Sequence, residues 1–197
     1  MALAALFTWG LGFFGALFLP PVPPGLGLSP FEARIAPLVY PLLQLGVFLL
    51  RPFYADLPQA RRALGLAAWA FFLAEAGFLY LRLYPEPGVT GTEAGLMLVA
   101  RPFFLLLAGL LFAFGWVLAH DPPPPNPSFG AISPRGLADP WFWEKSNRFT
   151  GWLMLALGPV LAYAAFVFSF FANLVLVLFA LGLITLAPTL LERLSRR

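Results

Sequence analysis

Six apolar stretches make up most of the chain, and short segments rich in proline and charged residues separate them. They are residues 2–19, 35–50, 63–83, 94–119, 149–168 and 174–191. Each is close to the ~20 residues with which a helix crosses ~30 Å of hydrocarbon. Because an open strand would leave backbone groups without partners in lipid, the stretches are predicted to be helices. The pattern therefore predicts an all-α integral membrane protein: one transmembrane domain built as a six-helix bundle.

The composition supports this class of protein. Of 197 residues, 60% are hydrophobic and only 11% are charged, whereas a soluble domain carries about 25% charged residues. The chain has no cysteine, which excludes disulfides and thiolate metal sites. Its pI is near 9.7, but the basic residues form no helical stripe, so a nucleic-acid partner is not expected. The Pro-, Leu- and Arg-rich composition is compatible with a thermophile.

The arginines and lysines predict the orientation. One side of the predicted bundle carries nine of them: Arg51, Arg61, Arg62, Arg135, Lys145, Arg148, Arg193, Arg196 and Arg197. The opposite side carries only Arg34 and Arg82. By the positive-inside rule, both termini and the loop at 120–148 are expected in the cytoplasm. The first stretch lacks a positively charged start and a cleavage site, so it is expected to stay as a helix.

Two charged residues fall well inside predicted spans, Glu75 and Arg101. At 1.5 Å per residue both are predicted ~10–12 Å below the outer surface, on neighbouring antiparallel helices. Because a lone charge near a helix centre costs about 2.5–3.5 kcal/mol, we expect the two to pair. Gln44 either joins them or hydrogen-bonds between helices. The pair is interpreted either as an outward-facing ligand pocket or as a buried pair that fixes helix register.

Nothing in the sequence predicts catalysis or a cofactor. His120 is the sole histidine, and one histidine supplies neither bis-His haem ligation nor a multi-His metal site. The chain has no H-E-x-x-H, G-x-S-x-G or phosphate-binding motif. We expect a protein that is not an enzyme, with no metal and no cofactor.

The loop before the fifth span carries a motif. Asp139 followed by Pro140 predicts a helix start, an N-cap and then proline at the first helical position. Glycine and proline punctuate the loop, and an aromatic and polar run leads into the helix. The motif residues are Gly130, Pro134, Leu137, Trp143, Asn147, Arg148 and Gly151. Trp143 is predicted to anchor the loop at the membrane interface, with Asn147 and Arg148 binding loop carbonyls or lipid phosphate.

This motif, between two predicted spans, resembles that of the SdpI-type membrane immunity proteins. The resemblance covers residues 94–191, and the first three spans carry no motif that aligns. One position departs from the pattern: Ile132 stands where the family has an arginine, although Arg135 is near enough to supply a charge. The loop is interpreted either as a capping device for the helix or as a docking face for a cytoplasmic partner.

The resemblance implies a multi-pass protein of the bacterial inner membrane that protects against a membrane-active peptide toxin, in some cases while holding a regulator at the membrane. The pocket near Glu75 and Arg101 would sense the peptide, and the loop would report inward. Two other functions stay open. A small transporter would use Glu75 as a proton or cation site, and an accessory subunit would pack against other membrane subunits.

Overall fold

The structure, a computed structural model, describes residues 1–19, 29–84 and 91–195, and no strand occurs among them. Helices are expected here, because a helix satisfies its own backbone groups in lipid. In chain order they are α1 (Ala2–Phe18), α2 (Pro30–Ile35), a 3₁₀ turn (Ala36–Leu38), α3 (Val39–Leu50), a second 3₁₀ turn (Arg51–Tyr54), α4 (Pro58–Leu83), α5 (Gly91–His120), α6 (Pro134–Ala138), α7 (Pro140–Val167) and α8 (Phe170–Leu194).

Five helical segments are long and apolar enough to cross a membrane: Ala36–Tyr54, Pro58–Leu83, Leu96–His120, Pro140–Val167 and Phe170–Leu194. The shortest predicted span, at 35–50, reaches crossing length because a 3₁₀ turn extends α3 at each end. α1 is apolar but has only 17 residues. The fold is that of a helical membrane protein, as the sequence predicts.

The starts of α7 and α8 follow from local chemistry. The Asp139 carboxylate accepts hydrogen bonds from the backbone N–H groups of Trp141 and Phe142 at 3.1 and 3.3 Å, and Pro140 takes the first helical position. The predicted helix start is therefore confirmed. At α8, the Ser169 hydroxyl accepts from the backbone N–H of Ala172. Both caps satisfy amide groups that the first turn of a helix leaves without a partner.

α5 lies at the centre of the bundle, with α4 and α7 as its most extensive partners. Small residues bring these backbones close together. A Cβ added at Gly109 would lie 2.6 Å from the Cβ of Ala70 in α4, and one added at Gly151 of α7 would overlap the backbone nitrogen of Ala119. Close approach at small residues is the usual way in which helices associate in lipid.

α1 runs beside α4 and parallel to it. Phe7 contacts the ring of Trp69 in the middle of α4, and the Cα of Gly15 faces Leu79 near its end. The bundle thus has two ends. The loop end holds residues 51–57 and 121–139 and the end of α8, which Arg135 contacts through Ser195. The far end holds the end of α1, the end of α4 and the turn between α7 and α8.

Candidate functional site

Glu75 is the most buried charged side chain among the described residues. It lies in the middle of α4 with no accessible surface. Neither of its carboxylate oxygens accepts a hydrogen bond within the described part of the chain. A charge in hydrocarbon is costly and usually marks a functional position. Glu75 is therefore the first element of the candidate site.

Its electrostatic partner is Arg82, on the same helix. The two residues are seven apart, which places them on one face of α4, two turns from each other. Arg82 is itself buried, and its guanidinium donates to the backbone carbonyls of Gly15 and Leu19 at 3.2 and 3.4 Å. Arg82 therefore joins the far end of α1 to the face of α4 that carries Glu75.

Arg101 is buried, as predicted, but it does not pair with Glu75. Its guanidinium donates to the backbone carbonyl of Phe166 in α7 at 3.4 Å. The ion pairs between two described residues are Arg62–Asp121 and Arg148–Glu144. The predicted pairing is wrong because the rise per residue gives the depth of a side chain, but not which neighbouring helix it contacts.

α3 adds two polar side chains to the site, Tyr40 and Gln44, one turn apart. Tyr40 interacts electrostatically with Glu75, and its hydroxyl donates to the carbonyl of Val99 in α5 at 3.3 Å. The Gln44 amide donates to the hydroxyl of Thr8 in α1 at 3.1 Å and to the carbonyl of Ala68 in α4 at 2.8 Å. Gln44 thus hydrogen-bonds between three helices. We call Thr8, Tyr40, Gln44, Glu75 and Arg82 the polar track.

The loop motif forms a second site, centred on Asn147. Its side-chain oxygen accepts from the backbone N–H of Ala131 at 2.7 Å, and its amide donates to the carbonyl of Trp143 at 2.9 Å. Gly130 has φ +125°, and a Cβ there would lie 2.5 Å from the Asn147 oxygen. This conformation and this contact together require glycine. Asn147 therefore holds the loop backbone on the first turns of α7.

Trp143 lies beneath the loop rather than at the membrane interface. Its side chain is 1% exposed, whereas that of Trp141 is 63% exposed. The Trp143 indole N–H donates to the carbonyl of Pro123 at 2.6 Å, and its ring contacts Gly136. The predicted anchoring role of Trp143 is wrong, because a hydrogen bond within the loop satisfies the indole and buries it. Of the two tryptophans, the exposed Trp141 is the one placed to reach the interface.

The other motif positions divide between packing and surface. Gly151 packs against the backbone of α5, and Arg148 donates to the carbonyl of Ala119 at 3.3 Å and to Glu144 at 2.9 Å. Two apolar side chains of the loop, those of Ile132 and Leu137, are exposed, as is Pro134.

Arg135 does not take the place of the arginine that the family has at position 132. Its guanidinium lies over the ring of Phe142, 4.6 Å from the centroid, and donates to the hydroxyl of Ser195 at 3.2 Å. The Arg135 guanidinium therefore joins the loop to the end of α8 within the chain.

The arrangement defines a helical membrane protein with a folded loop packed on one long helix. Residues 123–191 match the model of the SdpI/YfhL protein family. The match spans the motif loop and α6–α8, so the resemblance read from the motif is confirmed there. No curated protein and no solved structure matches the chain.

Sequence reasoning missed Arg82, Tyr40 and Thr8 as members of the polar track. Arg82 was counted among the outer charges, although its spacing of seven from Glu75 already placed both on one face of a helix. Likewise, Tyr40 and Gln44 are spaced by four. Thr8 offers no such signal, because a single hydroxyl in an apolar helix often bonds within its own helix, and Thr8 also donates to Ala4.

Proposed function

We propose that the chain crosses the inner membrane of a bacterium six times, with both termini and the loop end in the cytoplasm. The contacts of α1 support this proposal, since α1 lies beside α4 from Gly65 to Arg82. Its 17 residues are at the short limit of a membrane-crossing helix. The excess of arginine and lysine at the loop end supports the orientation.

We propose that the protein is an SdpI-type immunity and signalling protein that binds a membrane-active peptide without catalysis. Glu75 is the observation that carries this proposal. A carboxylate held in the bundle without a described hydrogen-bond donor lowers the stability of the fold, because burying an apolar residue there would cost less free energy. A peptide with cationic side chains or free backbone N–H groups would supply the donors that the carboxylate lacks.

The position of the polar track supports an approach from the far end. Arg82 lies at that end and binds α1 through two backbone carbonyls. A ligand that contacts Glu75 would therefore also alter the contact between α1 and α4. Access through the end of α1 would require the hydrogen bonds of Arg82 to Gly15 and Leu19 to break.

The loop is the proposed output of the protein. Its exposed apolar residues, Ile132 and Leu137, form a surface on which a cytoplasmic regulator can dock. Asn147 fixes the loop to α7, and Arg135 fixes it to the end of α8. Movement of either helix would therefore shift the docking surface.

Native mass spectrometry tests the ligand. The wild type is released gently from its own membrane beside the Glu75→Gln/Arg82→Gln variant. The matched control is Asp56→Asn/Arg61→Gln, which also removes one acid and one base, but from exposed positions at the loop end. A peptide retained by the wild type and the control, but lost from the Glu75/Arg82 variant, is expected. No retained peptide in any sample would contradict the proposal.

A second candidate function, cation-coupled transport, is also favoured by Glu75, because a carboxylate inside a bundle is a common proton or cation site. Transport predicts uptake of a solute into vesicles that depends on a cation gradient and is lost in Glu75→Gln. Co-purification of other membrane subunits with all three samples, with no peptide, would instead indicate an accessory subunit.

A further inference from the structure

A cleft of about 440 Å³ opens between α4 and α5 at the loop end. This loop-end cleft has the volume of a small-ligand site, about 300–1,000 Å³. Arg62, Leu66 and Trp69 of α4 line one side, and Trp116 and His120 of α5 line the other, with Asp121 at the rim. Met1, which precedes α1, also lines the cleft. The polar track and the loop motif have no residue in it.

Two side chains at the rim of the cleft, Arg62 and Asp121, form an ion pair. Arg62 donates to the carboxylate of Asp121, and Gln59 donates to the same carboxylate at 3.4 Å. Both charged side chains are well exposed, so their attraction for each other is weak. A guanidinium has five N–H donors in a planar fork, and one of them reaches Asp121 through Nη1, so others can bind a phosphate.

His120 adds a hydrogen-bond acceptor beside this pair. Its Nδ1 lies 2.9 Å from the carbonyl oxygen of Trp116. Because a carbonyl only accepts, Nδ1 carries the proton, and in the neutral ring Nε2 is left as an acceptor. The ring stacks on Trp116 with 4.1 Å between centroids, and the centroid of the Trp152 ring lies 5.2 Å away in a tilted arrangement. These contacts hold the imidazole in one orientation.

The wall of the cleft has the polarity gradient of the zone where lipid headgroups meet acyl chains. Arg62 and Trp69 are seven residues apart, ~10 Å along α4, so the wall changes from charged to apolar over that length. Tryptophans favour this depth of a membrane. Trp69, Leu66 and Trp116 are all partly exposed along the wall. A lipid with its headgroup at the rim would lay its first methylene groups against them.

We propose that the loop-end cleft binds a phospholipid whose headgroup carries a primary ammonium, with the phosphate at Arg62 and the ammonium at Asp121 and His120. The Arg62–Asp121 pair offers a headgroup one cation and one anion to bind, which favours a zwitterion. An anionic lipid has no ammonium to place at the Asp121 carboxylate. A choline headgroup has the charge but no N–H to donate to Asp121 or to Nε2 of His120.

Lipid retention in native mass spectrometry tests the proposal. The full chain is equilibrated with phosphatidylethanolamine, phosphatidylcholine or phosphatidylglycerol of identical acyl chains, and separately with glycerophosphoethanolamine. Hydrogen bonds to charged groups predict about tenfold stronger retention of phosphatidylethanolamine than of phosphatidylcholine. Asp121→Asn is expected to abolish that preference, whereas Arg62→Gln is expected to weaken the retention of both lipids, because both carry the phosphate. Arg61→Gln, which removes the neighbouring exposed charge, is expected to keep both the retention and the preference.

Several outcomes would overturn the proposal. Equal retention of the ethanolamine and choline lipids would remove the role of Asp121 and His120, and a preference for phosphatidylglycerol would indicate an anion site. A loss in Arg61→Gln as large as that in Arg62→Gln would indicate general surface charge. Glycerophosphoethanolamine bound as tightly as the lipid would assign the cleft to a soluble headgroup. The comparison of wild type with the different lipids needs no variant to fold.

Discussion

Replacing Gly130 with alanine perturbs the loop at its most constrained point. The residue has φ +125°, a conformation that side chains with a Cβ rarely adopt. The new methyl group would also lie 2.5 Å from the Asn147 oxygen and 3.0 Å from the Trp143 ring. Asn147 would have to move away, and its hydrogen bond to the backbone of Ala131 would break.

The expected loss of stability follows from these two effects. Strained backbone at such a position costs of order 1–3 kcal/mol. A buried N–H left without its acceptor costs about 1–3 kcal/mol. The free energy of unfolding should therefore fall by about 2–5 kcal/mol. This is slightly less than the sum of the two costs, because the groups are in contact and one relaxation relieves both. That is a large part of the stability of an ordinary domain, ~5–15 kcal/mol.

The assay is equilibrium unfolding of the full chain in detergent, followed by tryptophan fluorescence, because Trp143 is buried directly beneath Gly130. Gly182→Ala in α8 is the matched control, since no atom lies within 4 Å of its added Cβ. Alanine in a helix is better than glycine by up to about 1 kcal/mol, so the control should be neutral or stabilising. Equal stability of the two variants would refute the account of the loop.

Two further predictions use the same unfolding assay. Trp143→Phe should lower the free energy of unfolding by about 1–3 kcal/mol, because the buried carbonyl of Pro123 loses its hydrogen-bond donor. Trp141→Phe, at an exposed position, should leave the free energy of unfolding unchanged. Equal effects of the two substitutions would contradict the buried role of Trp143. Glu75→Gln and Arg82→Gln should be coupled by about 0.5–3 kcal/mol, the double variant being less destabilised than the sum of the two. The losses in free energy of unfolding caused by Glu75→Gln and Arg101→Gln should be additive. Coupling of Glu75 to Arg101 but not to Arg82 would instead support the pair predicted from the sequence.

The helices could be predicted from the sequence because lipid leaves the backbone few alternatives. The start of α7 was predictable for a local reason, since Asp139 and Pro140 determine it within one turn. The partner of Arg101 was not, because hydropathy and rise per residue give depth without rotation about the helix axis. The same holds for Arg82. Its position near the end of α4 predicts an outer charge, but not that its side chain lies on the same face of the helix as Glu75.

The loop motif could be predicted as a set of positions but not as a structure. A tryptophan near a predicted membrane surface suggests the interface, and Trp141 and Trp143 look alike in sequence. What separates them is a long-range hydrogen bond from Trp143 to Pro123, twenty residues earlier in the chain. The positive φ of Gly130 is likewise imposed by packing against Asn147. Such contacts arise only once the loop has folded on α7.

The six-crossing arrangement underlies each functional proposal. Because the chain has no cysteine, single cysteines introduced at chosen positions can test it directly. Single cysteines at the exposed positions Ala2, Ser29 and Ser128 are treated with a membrane-impermeant maleimide in spheroplasts and in inverted membrane vesicles. Six crossings with the loop inside predict labelling of Ser29→Cys in spheroplasts only, and of Ala2→Cys and Ser128→Cys in inverted vesicles only. Labelling of Ala2→Cys in spheroplasts would show that α1 does not cross, and labelling of Ser128→Cys there would contradict a cytoplasmic loop.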